Sequence, residues 1–272
     1  NGIFWHDFCK SLRKGKHRKK QEKYQYICQS KINQLKNKPK PIQQTLSPIM
    51  EPIKVVKIEF DNEILPAQVT LFRGAVNSLL GKERSDLYHN HLKGGLRYSY
   101  PLIQYKRLNK RAAIVCIDEG TEAINEFLNT GAKHIVLGDR PMELTIGKIT
   151  AEKFNVEVGH FRTRYHMHNW LPLNKDNYTK YSTLESIVDR AALLNRVLTG
   201  NILSFLKGIG LFVETTLDCR ITSIEKTHMV TYKGVKLMAL DVVFSSNITL
   251  PLSIGLGKGA SVGFGTITNK KS

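Results

Sequence analysis

The chain has 272 residues, 41% of them hydrophobic, and its 41 Lys and Arg against 23 Asp and Glu give a net charge of +18. This length allows one large or two ordinary domains, and the charge predicts a polyanionic partner, most simply nucleic acid. The sequence shows no apolar run of about 18 residues, no signal peptide and no Cys-x-x-Cys pair, which predicts a cytoplasmic protein and argues against a membrane partner, a zinc ribbon and a disulfide scaffold.

The N-terminal region is the most basic part of the chain. Residues 1–49 hold twelve Lys and Arg against Asp7 and Glu22, with a basic block at Arg13–Lys20. Three interpretations stay open: an arm that binds nucleic acid, a disordered tail without a specific role, or a segment absent from the native product, because the first methionine is Met50. We expect a chain that begins at Met50 to keep full activity.

The next stretch predicts a first module of alternating strands and helices. Alternating apolar side chains predict a strand from Ile53, and helical spacing after Pro66 predicts a helix up to Gly81. The remaining predicted elements are strands at Arg97–Arg107 and Arg111–Ile117, a helix at Glu122–Thr130 and a fourth strand at His134–Leu137. This order is the split unit of a ferredoxin-like fold.

A second module is predicted downstream. Ser182 and Glu185 form a capping box that predicts a helix to about Leu198, with Gly200 as its C-cap. The other predicted elements are a short helix at Ile202–Leu206 and strands at Leu211–Leu217, Arg220–Glu225, Met229–Lys233 and Val235–Phe244. The sequence thus predicts an α+β protein of tandem ferredoxin-like (RRM-like) domains: a leader at 1–52, an N-terminal domain at 53–158 and a C-terminal domain at 159–272.

A loop with two histidines follows the first predicted helix, and it reads Asp86-Leu87-Tyr88-His89-Asn90-His91. Histidine titrates near neutrality, which suits proton transfer. The loop is compatible with a general acid–base pair, a metal site or solvated histidines. We predict the acid–base pair, because the two histidines, even with Asp86, do not make a recognisable set of four metal ligands. No metal and no cofactor is therefore predicted.

A tyrosine- and lysine-bearing strand comes next. If the strand keeps strict alternation, one face carries Tyr98, Tyr100, Leu102, Gln104 and Lys106. Pro101 interrupts strand pairing, so the strand is expected at a sheet edge or with a bulge. Tyr98 and Lys106 are candidates to supply a hydroxyl and a cation to the active site; the alternative for Tyr98 is ordinary sheet packing.

Basic and aromatic residues alternate between His160 and Trp170, a pattern suited to phosphate contacts and base stacking. A strand here would place Arg162, Arg164, His166 and His168 on one side. Arg162, Arg164 and His168 are therefore candidate RNA-binding residues, and a solvated charged face is the alternative.

Near the C-terminus, five glycines fall within the eleven residues 255–265. Glycine has no side chain to pack, so such a run predicts sharp bends or close backbone approach, with exposed amides that suit phosphate. A nucleotide-binding P-loop is disfavoured, since Lys258 is followed by Gly259 rather than by Ser or Thr. The RNA-binding candidates of this glycine loop are Gly255, Gly257, Lys258, Gly259, Gly263 and Gly265.

Together these residues resemble the CRISPR-associated endoribonucleases of the RAMP superfamily, which cut precursor CRISPR RNA within its repeats. The resemblance spans about Lys54 to Thr268 and rests on the His-Asn-His loop, on Tyr98–Lys106, on Gly200–Gly208 and on the glycine loop. It implies tandem ferredoxin-like domains in the RAMP architecture. It also implies a metal-independent endoribonuclease whose products carry a 5′-hydroxyl and a 2′,3′-cyclic phosphate.

The resemblance further implies CRISPR repeat RNA as the partner, with other Cas effector subunits or a second copy of the chain as additional partners. Many members of the superfamily use one histidine with a tyrosine and a lysine. This sequence offers two histidines, and both Lys93 and Lys106 are candidates for the lysine. The alternative is a catalytically silent RAMP protein that binds and delivers CRISPR RNA as a structural subunit. A more distant one is a ribosomal or RNA-chaperone protein.

Overall fold

The computed structural model describes residues 52–79, 91–92, 95–96, 100–129 and 134–269 of the chain. These residues form two antiparallel four-stranded sheets with helices packed against them, together with two small hairpins. Within the described ranges no helix is both long and apolar enough to cross a membrane.

The N-terminal half follows the order strand-helix-strand-strand-helix-strand. Its elements are β1 (Ile53–Glu63), a 3₁₀ turn (Pro66–Gln68), α1 (Val69–Leu79), β2 (His91–Leu92), β3 (Gly95–Leu96), β4 (Ile103–Leu108), β5 (Arg111–Ile117), α2 (Glu119–Asn129), β6 (His134–Leu137), β7 (Arg140–Glu143) and β8 (Ile146–Phe154). The four long strands lie in the order β4-β5-β1-β8 and pair antiparallel, as in a ferredoxin-like domain.

The fourth strand of this sheet was predicted wrongly. The segment 134–137 is a strand, but it pairs with β7 in a separate hairpin, and β8 occupies the sheet edge beside β1. The reason is physical: β8 is an edge strand in which only Thr150 and Phe154 are half-buried, so it lacks an apolar alternation. The predicted strand that begins at Arg97 is β4, which begins at Ile103; residues 97–99 lie outside the described part.

The C-terminal half repeats the strand arrangement. Its elements are β9 (Val158–Trp170), α3 (Lys175–Thr183), α4 (Ile187–Gly208), β10 (Cys219–Tyr232), β11 (Val235–Ile248), a 3₁₀ turn (Ala260–Val262) and β12 (Thr266–Asn269). The strands lie in the order β10-β11-β9-β12 and pair antiparallel. Between β11 and β12, where a ferredoxin-like domain has its second helix, the chain forms the glycine loop.

The helical part of this half differs from the prediction. Ser186, not Ser182, is the N-cap of α4, and its hydroxyl accepts a hydrogen bond from the Asp189 N–H. Gly200 lies inside α4, so the predicted C-cap and the separate second helix are wrong. A continuous helix forms because one apolar stripe runs past the glycine; its buried residues are Leu194, Leu198, Ile202, Phe205 and Leu206.

The strand predictions of this half are corrected as well. The segment 211–217 contains no strand, and the two strands predicted between 220 and 233 are one continuous strand, β10. Register shifts between Ile221 and Ser223 and between Ile224 and Lys226 mark bulges in β10. Bulges break the period-two pattern, which explains why the sequence suggested two strands.

Two hydrophobic cores result from these elements. The first lies between the C-terminal sheet and α4, and it takes in Val55, Val115 and Leu102 from the N-terminal half. The second lies between the N-terminal sheet and its helices. The glycine loop reaches both, because Leu256 belongs to the first core and Val262 to the second. The loop therefore sits at the junction of the two halves.

Candidate functional site

The backbone of the glycine loop requires glycine at specific positions. Gly257 and Gly265 have φ angles of 80° and 61°, in the left-handed region that other residues rarely adopt. A Cβ on Gly265 would lie 2.1 Å from the carbonyl oxygen of Leu256, and one on Gly257 would lie 2.5 Å from Oδ1 of Asn201. At these two positions glycine is required by the protein's own packing.

The corner of the loop presents backbone amides. Hydrogen bonds from Leu256 N to Gly265 O (2.9 Å) and from Ala260 N to Gly257 O (3.3 Å) close the loop on itself. Within the described residues, the N–H groups of positions 257–259 make no hydrogen bond, and Lys258 is exposed. Successive backbone amides without a protein partner are suited to an anion such as phosphate.

Three side chains of the N-terminal half fasten the inner side of the loop. The Tyr100 hydroxyl donates to Gly255 O (2.8 Å), and Gln104 Oε1 accepts from Gly255 N (2.7 Å). Gln104 Nε2 donates in turn to the Tyr100 hydroxyl (2.8 Å). Lys106 Nζ donates to Ala260 O at 2.9 Å. We refer to Tyr100, Gln104 and Lys106 as the latch.

The latch is fully buried, with Gln104 and Lys106 at 0% exposure. Burial lowers the pKa of Lys106 to about 7, because removal from water penalises the charged form. Burial likewise raises the pKa of Tyr100, although its hydrogen bond with Gln104 lowers it in part. The predicted alternation of Tyr100, Gln104 and Lys106 is thus observed, but their common face points at the loop and not at solvent.

Two further contacts hold the loop. Arg73 Nη1 on α1 donates to the Ser261 hydroxyl at 3.4 Å. Trp170 Nε1, at the end of β9, donates to Asn201 Oδ1 on α4 at 2.9 Å, and this pair packs against Gly257. The loop is therefore supported by α1, β4, β9 and α4 together.

A cluster of aromatic and cationic side chains at the loop was not predicted from the sequence. Tyr232, at the tip of the β10–β11 hairpin, packs edge-on against Phe264 with ring centroids 5.4 Å apart. The ammonium groups of Lys233 and Lys258 each lie 5.8 Å from the centre of the Tyr232 ring. The signal was a Tyr-Lys-Gly turn, but only the fold brings it against Lys258.

The outward face of β9 carries the other predicted RNA-binding residues. Arg162 and Arg164 are exposed and His168 is half-buried, while the alternate residues Tyr165 and Met167 are buried in the core. His168 Nε2 lies 3.1 Å from the Thr268 hydroxyl of β12. The strand thus places these three side chains on one face, next to the strand that leaves the glycine loop.

The positive charge of this face is partly neutralised. Arg162 and Arg220 both pair with Asp218, the latter at 3.0 Å. Desolvation raises the pKa of Asp218, but hydrogen bonds from Arg220 and Arg162 outweigh it and lower the pKa overall. A carboxylate oxygen of Glu225 also lies on this face, 2.5 Å from His166 Nε2. Among the described residues no salt bridge pairs the exposed Arg164 with an acidic side chain.

The predicted acid–base residues are only partly covered by the structure. His89, Lys93 and Tyr98 lie outside the described residues, and for His91 the structure gives its place as the first residue of β2. Their chain segment connects α1 to Tyr100 of the latch. The structure thus brings Lys106 to the glycine loop, and the roles of the two histidines and of Tyr98 stay predictions.

Two antiparallel sheets that share this strand order define a tandem ferredoxin-like fold. The crystal structure of a Cas6b superposes with a TM-score of 0.72 at 24% identity and covers 80% of this chain and 99% of that one. A structure titled CRISPR RNA processing endoribonuclease Cas6b gives a TM-score of 0.61 at 23% identity, with 79% and 97% covered. These likenesses establish the fold.

The family follows from the sequence match. The Cas6b N-terminal domain model matches residues 51–155, and the Cas6b C-terminal domain model matches residues 158–270. The chain therefore belongs to the Cas6b family. It is also 32% identical over 120 residues to an uncharacterized protein of Methanocaldococcus jannaschii, a match that covers 44% of this chain and 80% of that protein.

Proposed function

We propose that this member of the Cas6b family binds CRISPR repeat RNA and cuts precursor CRISPR RNA as a metal-independent endoribonuclease. Family models that match residues 51–155 and 158–270 support the class of activity, as does the similarity to the structure of a CRISPR RNA processing endoribonuclease Cas6b. The observation that carries RNA binding is the row of free amides at positions 257–259 beside the exposed Lys258. Amides and a lysine together suit a backbone phosphate.

The proposed chemistry is attack by a ribose 2′-hydroxyl on the adjacent phosphorus. One histidine of the pair His89 and His91 removes the hydroxyl proton, and the other protonates the departing 5′-oxygen. Two imidazoles with pKa values near ~6.5 can hold opposite protonation states at neutral pH. Tyr98 and a lysine stabilise the charge on the phosphorane oxygens. The products are a 2′,3′-cyclic phosphate and a 5′-hydroxyl.

RNA binding is assigned to the C-terminal half. The glycine loop takes a backbone phosphate, and Arg162, Arg164 and His168 extend the contact along β9. Tyr232 adds an aromatic ring, and the ammonium groups of Lys233 and Lys258 each lie 5.8 Å from its centre. Other Cas subunits or a second copy of the chain are proposed as further partners, and the mass of the complex with and without RNA tests the latter.

Single-turnover cleavage of a defined repeat RNA by the full chain tests this function. We expect a single cut in excess EDTA, and no cut when the nucleotide just upstream carries a 2′-deoxyribose, because the nucleophile is then missing. RNA that binds tightly but stays intact would identify a silent RAMP protein. Cleavage that disappears with chelator and returns with a divalent ion, or cleavage of the deoxy substrate, would contradict the mechanism.

A further inference from the structure

Lys106 is a buried cation without a counter-charge among the described residues. Its Nζ makes one hydrogen bond, to Ala260 O, and no carboxylate pairs with it. A Cβ on Gly255 would lie 2.5 Å from this nitrogen, so the ammonium occupies the space under the glycine loop that a side chain would otherwise fill. An uncompensated buried ammonium is costly, and the site therefore needs a physical explanation.

The latch makes hydrogen bonds to three backbone groups on the inner side of the loop. Gly255 offers both its N–H and its carbonyl oxygen to Gln104 and Tyr100, and Ala260 offers its carbonyl oxygen to Lys106. These inward groups are satisfied by the N-terminal half. The amides of positions 257–259 lie between them in sequence and make no hydrogen bond among the described residues.

We propose that Lys106 is a positioning residue of the glycine loop, and that an RNA phosphate held by the outward amides supplies its missing counter-charge. The inference rests on the proposed function, because it takes RNA as the ligand of the loop. Lys106 acts through the loop backbone that it holds on the inner side, and the phosphate binds the free amides on the other side of the loop. A phosphate on the loop then favours the protonated form of Lys106, and protonated Lys106 favours the phosphate by the same factor.

The surroundings support a phosphate as the counter-charge. Of the elements that the loop touches, α1, β4 and β9 contain no Asp or Glu, nor does the loop itself, and α4 holds its single acidic residue, Asp189, in its first turn. Besides Lys106, the titratable or charged groups of α1, β4 and the loop are the cations Arg73, Arg107 and Lys258 and the phenol of Tyr105, with the Tyr100 phenol just before β4. The β10–β11 tip adds Lys233 and the Tyr232 phenol. None of these groups on α1, β4 or the loop offers Lys106 a negative charge, which an RNA phosphate on the loop would supply.

This arrangement couples RNA binding to a proton. With its pKa near 7, Lys106 is protonated in both free and bound protein at low pH, and binding takes up no proton. Above pH 7 Lys106 loses this proton in the free protein, so RNA binding must take one up. RNA affinity therefore falls as the pH rises, until the pH exceeds the pKa of Lys106 in the bound state. Each unit by which the phosphate raises that pKa corresponds to about tenfold in affinity.

The test uses the full chain and a repeat RNA with a 2′-deoxy substitution at the cut, so that binding is measured without cleavage. Titration calorimetry at pH 8, in buffers of different ionisation enthalpy, measures proton uptake where unperturbed histidines are neutral. We expect the parent to take up roughly 0.4 of a proton more than Lys106→Met if the bound pKa is one unit higher. Lys148→Met removes an exposed charge from β8, at the opposite sheet edge, and should match the parent.

A second variant separates the positioning of the glycine loop from the protonation of Lys106. Gln104→Leu removes the bond to Gly255 and keeps Lys106, so it should weaken RNA binding and retain the proton uptake. Equal uptake by the parent and Lys106→Met, or loss of uptake in Gln104→Leu, overturns the inference. Absence of uptake in the parent overturns it even if Lys106→Met fails to fold. A parent that binds no repeat RNA refutes the proposed function instead.

Discussion

The two halves of the molecule share one strand arrangement but differ in the segment that follows the third strand. In the N-terminal half, α2 follows the third strand of the sheet; in the C-terminal half, the glycine loop with a single 3₁₀ turn stands there. A helix uses most of its amides internally, whereas the loop leaves three consecutive amides free. The difference teaches that backbone amides become available where a regular element is given up. Under the proposed function it corresponds to a division between chemistry in the N-terminal half and RNA binding in the C-terminal half.

The largest expected effect tests that division directly. His89→Ala and His91→Ala should each slow single-turnover cleavage by at least about 10², because a general acid or base contributes about 10²–10⁴. RNA affinity should stay close to that of the parent, since binding is assigned to the C-terminal half. A near-parental cleavage rate in the double variant would move the active site elsewhere, and His166 and His168 on β9 would be examined next.

The burial of Lys106 under the loop should make the free energy of unfolding depend on pH. The folded pKa of Lys106 is about 7 against an ordinary 10.5, so between pH 7 and 9 the unfolded chain binds more protons and the free energy of unfolding rises with pH. We expect about 2 kcal/mol from this residue. Urea unfolding of the parent and of Lys106→Met at several pH values measures it.

The difference between the two stability curves isolates Lys106. Burial raises the pKa of Cys116 and of Tyr100, so above their ordinary values they act in the opposite direction, but they do so equally in both proteins. Parallel curves between pH 7 and 9 would show that Lys106 keeps its proton when folded.

Within the C-terminal half, a loop glycine can be compared with a glycine outside the loop. Gly257→Ala should weaken RNA binding about tenfold, because the new Cβ meets Asn201 and distorts the loop, at a cost of ~1–2 kcal/mol. Gly210 provides the matched control: its φ is +71° and a Cβ there meets nothing within 4 Å. Filter binding of both variants checks the result. Equal losses of affinity would mean that the loop has no special role.

A smaller effect is expected at the exposed corner of the loop. Lys258→Ala should weaken RNA binding a few-fold and reduce the slope of log affinity against log salt by roughly 0.7–0.9, as loss of one phosphate contact does. Titrations at several salt concentrations measure the slope, with Lys148→Ala as the control for charge alone. An unchanged slope would place Lys258 away from the phosphates.

The smallest effect concerns a glycine in a helix rather than in a loop. Gly200→Ala should raise the free energy of unfolding by about 0.5–1 kcal/mol, because Gly200 lies within α4 and its Cβ would meet nothing within 4 Å. RNA affinity should not change. Destabilisation would indicate that the helix ends at Gly200 after all.

The sequence was informative where local chemistry decides the structure. Alternation and helical spacing were enough for β1, α1 and β5. They failed at Gly200, where a buried stripe on α4 outweighs the local cost of a glycine, and at β8, whose edge position leaves it polar. Tertiary packing decided both cases, and a single sequence does not display it.

The candidate site shows the same limit. The glycine run identified the loop, because no core requires five glycines in eleven residues. The alternation that groups Tyr100, Gln104 and Lys106 was also readable. Which way that face points depends on how the two halves pack, so the burial of Lys106 and the placement of Tyr232 against Phe264 became visible only in the structure.

The shared core and the latch have a consequence for how the protein unfolds. Leu102 and Val115 of one half lie in the same core as Leu198 and Phe244 of the other, and the latch is satisfied only when the loop is in place. Separation of the halves would expose this apolar surface and leave buried donors unpaired. The described domain pair should therefore melt in one cooperative calorimetric transition, and RNA bound at the loop should raise the melting temperature of both halves together.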